Sequence, residues 1–230
     1  KTVNENFDLV LTYDYESLSS PISQTAARLK EQLAENGLAE NDDKRLTILS
    51  HSMGGLVSRW FIEREEGNKV VDHLVMFGTP NAGSPLGKIE FARKISYTLT
   101  TLAINTFPAA APLCGGLIYL LNRSKKVTPT LEQMNPESEF IRSLNTSPDP
   151  GVPYTLIAGD VRDYQESSDR LAARLIAKTG SGLAFDMLYQ NAGHDIAVST
   201  ASIHSVTSDR TPPPAIHNGK RPSEPFLTRV

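Results

Sequence analysis

Short apolar runs alternate with amphipathic stretches along the first part of the chain. The apolar runs cover Phe7 to Tyr13, Leu46 to Leu49 and Val70 to Phe77, and each has the length of a buried strand. Apolar residues at helical spacing predict one helix between the first two runs and another from Met53 to Glu65. Strands that alternate with helices predict an α/β fold, in which a mostly parallel sheet is flanked by helices.

The first predicted helix has marked ends. Ser20 and Pro21 favour its start, with the serine as the cap and the proline in the first turn. Asn36 and Gly37 favour its end, because glycine adopts the left-handed conformation that often terminates a helix. Between them, the positions predicted to face the core follow at helical spacing: Ile22, Ala26, Leu29 and Leu33.

The alternation of strands and helices breaks between about residues 84 and 145. A largely apolar stretch runs from Leu99 to Leu121, but Pro108 and Pro112 interrupt it, whereas a membrane span needs about 20 uninterrupted apolar residues. A more polar helix is predicted around Thr130 to Leu144. We therefore interpret 84–145 as an inserted helical cap, whose apolar face either contacts acyl chains or packs on the sheet.

The last part of the chain returns to strand and helix patterns. A strand is predicted at Tyr154 to Gly159 and a helix from Ser168 to Lys178. Residues 191–198 form a predicted loop with an acid and a histidine, and 211–214 form a predicted surface loop. No repeat or linker divides the chain, so residues 1–230 are predicted to form a single domain that includes the cap.

Composition and charge exclude several classes of function. A net charge of −3 gives no basic patch for nucleic acid or for an anionic membrane. Cys114 is the only cysteine, so neither an internal disulfide nor a cysteine metal cluster can form. The chain has no phosphate-binding glycine loop and no paired-histidine spacing, so we predict neither a cofactor nor a metal site.

The string from Leu49 to Gly55 carries the main chemical signal. It places Ser52 between an apolar strand and an amphipathic helix. Gly54 and Gly55 follow the serine and Ser50 precedes it, and small residues are needed there because strand and helix pass close together. A serine on such a turn is exposed at the carboxyl edge of the sheet, as in the nucleophile elbow of α/β-hydrolases.

Longer strings around this serine resemble a known family. Residues 51–63 and 71–86 are similar to the lipase and esterase branch of the α/β-hydrolase superfamily, including triacylglycerol-lipase-like and lecithin-cholesterol-acyltransferase-like sequences. Residues 132–145 resemble the helix that ends the cap of those proteins, and His194 to Val198 resembles their segment with the catalytic aspartate. The resemblance covers about residues 7–202 and implies the α/β-hydrolase fold.

The resemblance implies a catalytic triad. Ser52 is then the nucleophile and Asp195 the acid, in the chain order of this fold, which is nucleophile, acid and histidine. Two alternatives stay open. Asp160, directly after a predicted strand, is a rival acid, and Asp195 is also suited to capping a helix that starts near Ser199 to Thr200.

Three of the five histidines precede the proposed acid in the chain. His51 adjoins the serine, and we expect its side chain to point away from it. His73 lies within a predicted strand, and we expect a structural role for it. His194 lies directly before Asp195.

The catalytic histidine itself is left open among three interpretations. His217 follows Asp195 by 22 residues, in a predicted loop, and is the candidate that we assign. His204 falls in a predicted helix with Ile203. The resemblance places the base just after the final strand, which the pattern puts at Phe226 to Val230, so the third interpretation is a base beyond this strand.

The oxyanion hole is predicted to include the backbone N–H of Met53. In this fold the second donor comes from a loop after an earlier strand, and no such loop precedes Phe7. We therefore expect the chain to lack the first strands and the oxyanion loop. Since the loss of one donor costs about 10²–10³ in rate, we expect weak or no activity from this chain alone.

The function predicted from these residues is that of a serine hydrolase that cleaves carboxylic esters, with acyl lipids as the favoured substrates. The resemblance implies that the loop from Phe77 to Pro85 lines an acyl pocket, and it is compatible with contact at a lipid interface. A non-catalytic hydrolase-like module for binding or scaffolding is the alternative, favoured by the incomplete machinery. Hydrolysis of peptides or thioesters is a third hypothesis.

Overall fold

The computed structural model describes six parts of the chain, which are residues 7–16, 19–39, 44–85, 129–159, 198–206 and 209–218. The strands in these parts are β1 (Leu46–His51), β2 (Val71–Phe77), β3 (Tyr154–Ala158) and β4 (Ala215–Asn218). The helices are α1 (Ile22–Glu35), α2 (Met53–Arg64), α3 (Pro129–Gln133), α4 (Glu139–Asn145) and α5 (Thr200–His204), and a 3₁₀ turn covers Gly67–Lys69.

Several predicted features fall outside the described residues. They are the apolar stretch 99–121, Asp160, the helix 168–178, Asp195 and the strand 226–230.

The strands form one parallel sheet in the order β1-β2-β3-β4. Among the described strands, neighbours in the sheet follow one another along the chain, and parallel neighbours of this kind are joined by crossovers. The register brings one residue from each strand into a row near the carboxyl ends: His51, Phe77, Ile157 and His217. The predicted parallel sheet flanked by helices is confirmed.

The main core lies where α1 and α2 pack with the sheet. α2 contacts β1 and β2, and α1 packs on α2. The sheet contributes Leu74, Met76 and Leu156, which are fully buried. All four positions of α1 that were predicted to face the core are buried, so its amphipathic pattern is confirmed.

The start of α1 differs from the prediction. Pro21 occupies the N-cap position, with φ −55° and ψ 143°, and Ser20 lies one residue outside the helix. Proline has no side-chain acceptor for a capping bond, and the first N–H of the helix, on Ile22, instead donates to Oε1 of Gln133. At the other end Gly37 has a φ of 73°, as predicted for a terminating glycine.

The polar helix predicted around 130–144 is wrong, because the structure has two short helices there. α3 ends at Gln133, and Pro136 follows in the connecting turn, where proline cannot continue a helix. Ser138 then starts α4, since its hydroxyl accepts a hydrogen bond from the backbone N–H of Ile141 at 3.1 Å.

The strand predicted at Phe7 to Tyr13 is also wrong. This segment has no ladder with any described strand, and an apolar run becomes a strand only where a neighbour satisfies its backbone groups. It is attached to α1 by the Tyr13 hydroxyl, which donates to the carbonyl of Thr25 at 2.8 Å. Its apolar side chains are largely exposed: Phe7, Leu9, Val10 and Leu11.

A strand replaces the loop that was predicted around His217. The carboxylate of Asp149 accepts hydrogen bonds from the backbone N–H groups of Gly151 at 3.0 Å and Thr211 at 2.7 Å. These bonds lower the pKa of Asp149, and they join the approach to β3 to the approach to β4. His217 consequently lies within β4, with an exposed side chain, and its placement in a loop is wrong.

We predict that Leu74→Ala lowers the free energy of unfolding by about 2–5 kcal/mol, because Leu74 is 0% exposed in the central part of the sheet and its loss leaves a cavity. Leu49→Ala is the matched control, since Leu49 is 58% exposed on β1, and we expect a change of less than about 0.5 kcal/mol. Urea unfolding measures both values. Equal losses of stability in the two variants would contradict the assignment of Leu74 to the core.

Candidate active site

Ser52 lies at a reversal of the chain between the last residue of β1 and the first residue of α2. Its N–H donates to the carbonyl of Phe77 at 2.8 Å, which extends the β1–β2 ladder by one residue. Its backbone has φ 51° and ψ −126°, and such a conformation costs a non-glycine residue about 1–3 kcal/mol. A strained serine between strand and helix is the geometry predicted from the sequence.

The hydroxyl of Ser52 is not used to hold the helix. It makes no capping bond to α2, and it has no hydrogen-bond partner among the residues that the structure describes. The residue is partly exposed. Serine usually caps a helix when it stands at this position, so the unused hydroxyl is available for other chemistry.

The glycines after Ser52 allow a close approach by residues from elsewhere in the chain. A Cβ on Gly55 would lie 2.0 Å from Oγ1 of Thr79, which follows β2. A Cβ on Gly54 would lie 3.3 Å from the Tyr15 hydroxyl and 3.8 Å from Cβ of Ser50. The tightest contact is therefore with the loop after β2 rather than with β1, and no sequence pattern links Gly55 to Thr79.

The first turn of α2 presents backbone donors beside Ser52. The N–H of Gly55 donates to the Ser52 carbonyl at 3.1 Å, whereas the earliest N–H groups of a helix have no partner within it. No acidic residue lies in this turn, so nothing there offsets the positive end of the helix dipole. Met53 is the first helical residue, as its predicted role in the oxyanion hole requires.

The loop Thr79–Ser84 is packed between α2 and the connection from α3 to α4. The N–H of Ser84 donates to the carbonyl of Met134 at 2.8 Å. Gly83 has a φ of 84°, and a Cβ there would lie 2.6 Å from Cα of Pro136. Thr79 is buried, and its hydroxyl has no hydrogen-bond partner in the described parts of the chain.

His217 is separated from the nucleophile by two strands. In the row of aligned residues it lies three strand spacings from His51, which is about 14 Å between backbones. Direct proton transfer needs the base within about 3 Å of the hydroxyl. The distance between the backbones of Ser52 and His217 can thus be spanned only by the two side chains together with a bridging water.

The other described histidines differ in environment. His73 Nε2 lies 2.8 Å from the Thr155 hydroxyl, and burial lowers the pKa of His73, as expected of a residue with a structural role. His51 is exposed at the end of β1. His204 ends α5, and its Nε2 is buried with no hydrogen-bond partner in the residues described.

α5 has its own cap. The Ser199 hydroxyl accepts a hydrogen bond from the backbone N–H of Ser202 at 3.1 Å. The alternative in which Asp195 caps this helix is therefore wrong, although the start of the helix is predicted correctly. Asp195 lies outside the described residues, as does the rival acid Asp160.

The described residues lack two features that would indicate another kind of site. No group of three or more histidine, cysteine or acidic side chains there is arranged to hold a metal ion. None of the helices in these parts combines the length and the apolar character needed to cross a bilayer.

Comparison with known families gives one match over nearly the whole chain. Residues 1–218 match the model of a domain of unknown function, DUF7379. The chain belongs to the DUF7379 family. Curated proteins give no sequence match to it.

Solved structures resemble this DUF7379 domain at low sequence identity. The phospholipase PlaB of Legionella pneumophila is 17% identical, with a TM-score of 0.55 over 88% of this chain and 39% of that protein. The mature lipase BlEst2 of Bacillus licheniformis is 19% identical, with a TM-score of 0.48 over 88% of this chain and 67% of the lipase. A carboxylesterase of Nitrososphaera gargenis is 13% identical, with a TM-score of 0.42 over 90% of this chain and 70% of that protein.

Of these three structures, the phospholipase has a TM-score above 0.5, and it supports the fold. With the parallel sheet and the strand–serine–helix turn, it confirms the α/β-hydrolase fold for this DUF7379 domain. The domain spans about two fifths of the length of the phospholipase.

We predict that Gly55→Ala destabilises the domain by about 1–3 kcal/mol, because the new methyl group overlaps Thr79. Gly54→Ala is the matched control. Its nearest neighbour is at 3.3 Å and alanine favours a helix, so we expect a smaller loss. Adding Thr79→Ala to Gly55→Ala removes the two closest atoms and is expected to restore part of the stability. Urea unfolding compares the variants, and equal effects at Gly54 and Gly55 would contradict the contact.

Proposed function

We propose that this DUF7379 domain is a serine hydrolase that cleaves carboxylic esters through an acyl-enzyme on Ser52. The observation that carries the proposal is the strained backbone of Ser52 at the end of β1, with a hydroxyl that no described residue binds. Backbone strain persists where the surrounding structure enforces it, and it concentrates at functional sites. The two glycines of the first turn let Thr79 and Tyr15 approach the start of α2 closely.

The proposed reaction begins with attack on the ester. The Ser52 hydroxyl oxygen forms a bond to the acyl carbonyl carbon, and a histidine accepts the hydroxyl proton. The carbonyl oxygen becomes an oxyanion, which the N–H of Met53 and the positive end of α2 stabilise. The carbon–oxygen bond to the alcohol then breaks, and the histidine returns the proton to the leaving alcohol.

Water completes the cycle. It attacks the acyl-enzyme while the same histidine takes its proton, and Ser52 leaves with that proton as the carboxylic acid forms. Asp195 is proposed to orient the histidine and to stabilise its charged form. We propose His217 as the base, which would take the proton through a bridging water because two strands separate it from Ser52. His204 is the alternative within this chain because its Nε2 has no partner among the described residues.

The proposed substrates are acyl esters of lipids. Support comes from the structural similarity to a phospholipase. The loop Thr79–Ser84 packs against α2, and it lies within Phe77–Pro85, whose sequence resembles the loop that lines the acyl pocket of lipases. Contact with a lipid interface is part of this proposal. The alternative of a non-catalytic binding module is separated from it by the labelling experiment below.

We predict that, in the full-length protein, Ser52→Ala abolishes labelling by a fluorophosphonate probe and lowers ester hydrolysis by at least about 10³-fold, because the proposed attacking oxygen is lost. Ser58→Ala is the matched control on the same helix, since the Ser58 hydroxyl only donates to the carbonyl of Gly54 at 2.9 Å. It is expected to retain labelling. Equal labelling of Ser52→Ala and the parent would refute the nucleophile, and a folded parent without labelling would favour the binding module.

We predict that His217→Asn lowers kcat for a p-nitrophenyl ester by at least about 10²-fold, the usual contribution of a general base. His204→Asn is expected to change kcat by less than about 3-fold. His73→Asn serves as the control, because His73 bonds to Thr155 and is expected to affect stability alone. A large loss in His204→Asn with little change in His217→Asn would transfer the role to His204.

A further inference from the structure

Arg59 is a fully buried cation two turns after Ser52 on α2, and every one of its five donors has an acceptor. Nε and Nη2 donate to the two carboxylate oxygens of Glu63, at 2.9 and 3.5 Å. Nη1 donates to the side-chain carbonyls of Asn81 at 3.1 Å and Asn145 at 3.2 Å. Nη2 also donates to the backbone carbonyl of Leu144 at 3.3 Å. Arginine is suited to this position because its planar group offers five donors in a fixed geometry.

Glu63 balances this buried charge. Its side chain is 0% exposed, and it also accepts from the Tyr154 hydroxyl at 3.0 Å and pairs with Arg210 at 3.0 Å. Buried ions remain in a fold when they are paired and hydrogen-bonded in this manner. The network therefore fixes the conformation of Arg59, so that its Nη1 group has one defined direction.

Asn81 transmits this constraint to α5. It is fully buried in the loop after β2, where its side-chain oxygen accepts from Arg59. Its side-chain nitrogen donates to the carbonyl of Ile203 on α5 at 2.7 Å. A single amide thus connects the helix that follows Ser52 with α5.

Ser202 provides a second link between the same loop and α5. Its hydroxyl accepts from the N–H of Ala82 at 3.1 Å and donates to the carbonyl of Gly83 at 2.6 Å. The loop is therefore attached to α2 through Arg59 and to α5 through Asn81 and Ser202. Asp195 precedes Ser199, the cap of α5, by only four positions in the sequence.

We propose that Asn81 is a positioning residue, which fixes α5 relative to α2 and so sets the position of Ser199, at the start of α5, relative to Ser52. This inference rests on the proposed function. It differs from a merely stabilising role in its consequence: small misplacements in a catalytic site reduce the rate of the bound complex even when the fold persists.

Asn81→Asp tests the proposal with an isosteric change. The acceptor toward Arg59 is kept, but a carboxylate oxygen replaces the donor that lies 2.7 Å from the Ile203 carbonyl. We expect kcat for a p-nitrophenyl ester to fall by about 10²-fold while KM changes by less than about 3-fold. Amide hydrogen exchange of residues 199–206, measured by mass spectrometry, is expected to accelerate by at least about 10-fold, since that carbonyl loses its partner.

Asn68→Asp is the matched control. It makes the same chemical change on an exposed side chain, which donates to the carbonyl of Pro150 at 3.4 Å, and we expect both readouts to stay at parental values. Ser202→Ala removes the second link and keeps the test decisive if Asn81→Asp does not fold. For this variant we also expect kcat to fall while KM is unchanged, but by less than in Asn81→Asp.

The outcomes are distinct. Unchanged kcat per folded molecule, or unchanged exchange at 199–206, in variants of an active parent overturns the positioning role alone. A parent that neither hydrolyses esters nor is labelled at Ser52 overturns the proposed function, and the positioning role with it. Loss of kcat that is explained entirely by a smaller folded fraction also overturns the proposal.

Discussion

The contact between Gly55 and Thr79 is the constraint on which the arrangement around Ser52 depends. It requires the first turn of α2 to lie directly against the loop after β2, with no room for a side chain at Gly55. This approach can occur only because Ser52 reverses the chain within one residue, at a positive φ. The backbone N–H of Ser52 still completes the ladder to Phe77, so the strain of the turn is held by the sheet itself.

A polar network around Glu63 is buried beside the apolar core. Burial raises the pKa of Tyr154, with the Glu63 carboxylate adding to the effect, so the tyrosine stays a hydrogen-bond donor to that carboxylate. Arg210 stacks over the Tyr154 ring at 4.8 Å as well as pairing with Glu63. Such a network contributes a defined geometry more than stability, because the removal of ions from water is costly.

Much of the fold could be predicted because its elements have strong local signals. The periodic apolar face of α1 and the runs of β1 and β2 agree with the structure to within about two residues at their ends. Ser52 was found because the turn itself demands a sequence of small residues after a strand.

The errors have physical causes that a local pattern does not contain. The run from Phe7 to Tyr13 resembles a strand in composition, but a strand also needs a neighbour for its backbone groups. β4 was missed because the prolines before it suggest a loop, while the bonds from Asp149 and the ladder with β3 come from distant residues. The bonds of Asn81 to Arg59 and to Ile203 gave no signal for the same reason, since these partners are 22 and 122 residues away in the sequence.

The parallel order of the sheet has a consequence for the route by which the protein folds. Residues 52–70, 19 in number, connect β1 to β2, whereas residues 78–153, 76 in number, connect β2 to β3. Each doubling of a loop adds about 0.6 kcal/mol of closure entropy, so the second pairing costs about 1.2 kcal/mol more than the first. The β1–α2–β2 unit is thus favoured to assemble early, and the turn at Ser52 would be formed before the rest of the sheet docks.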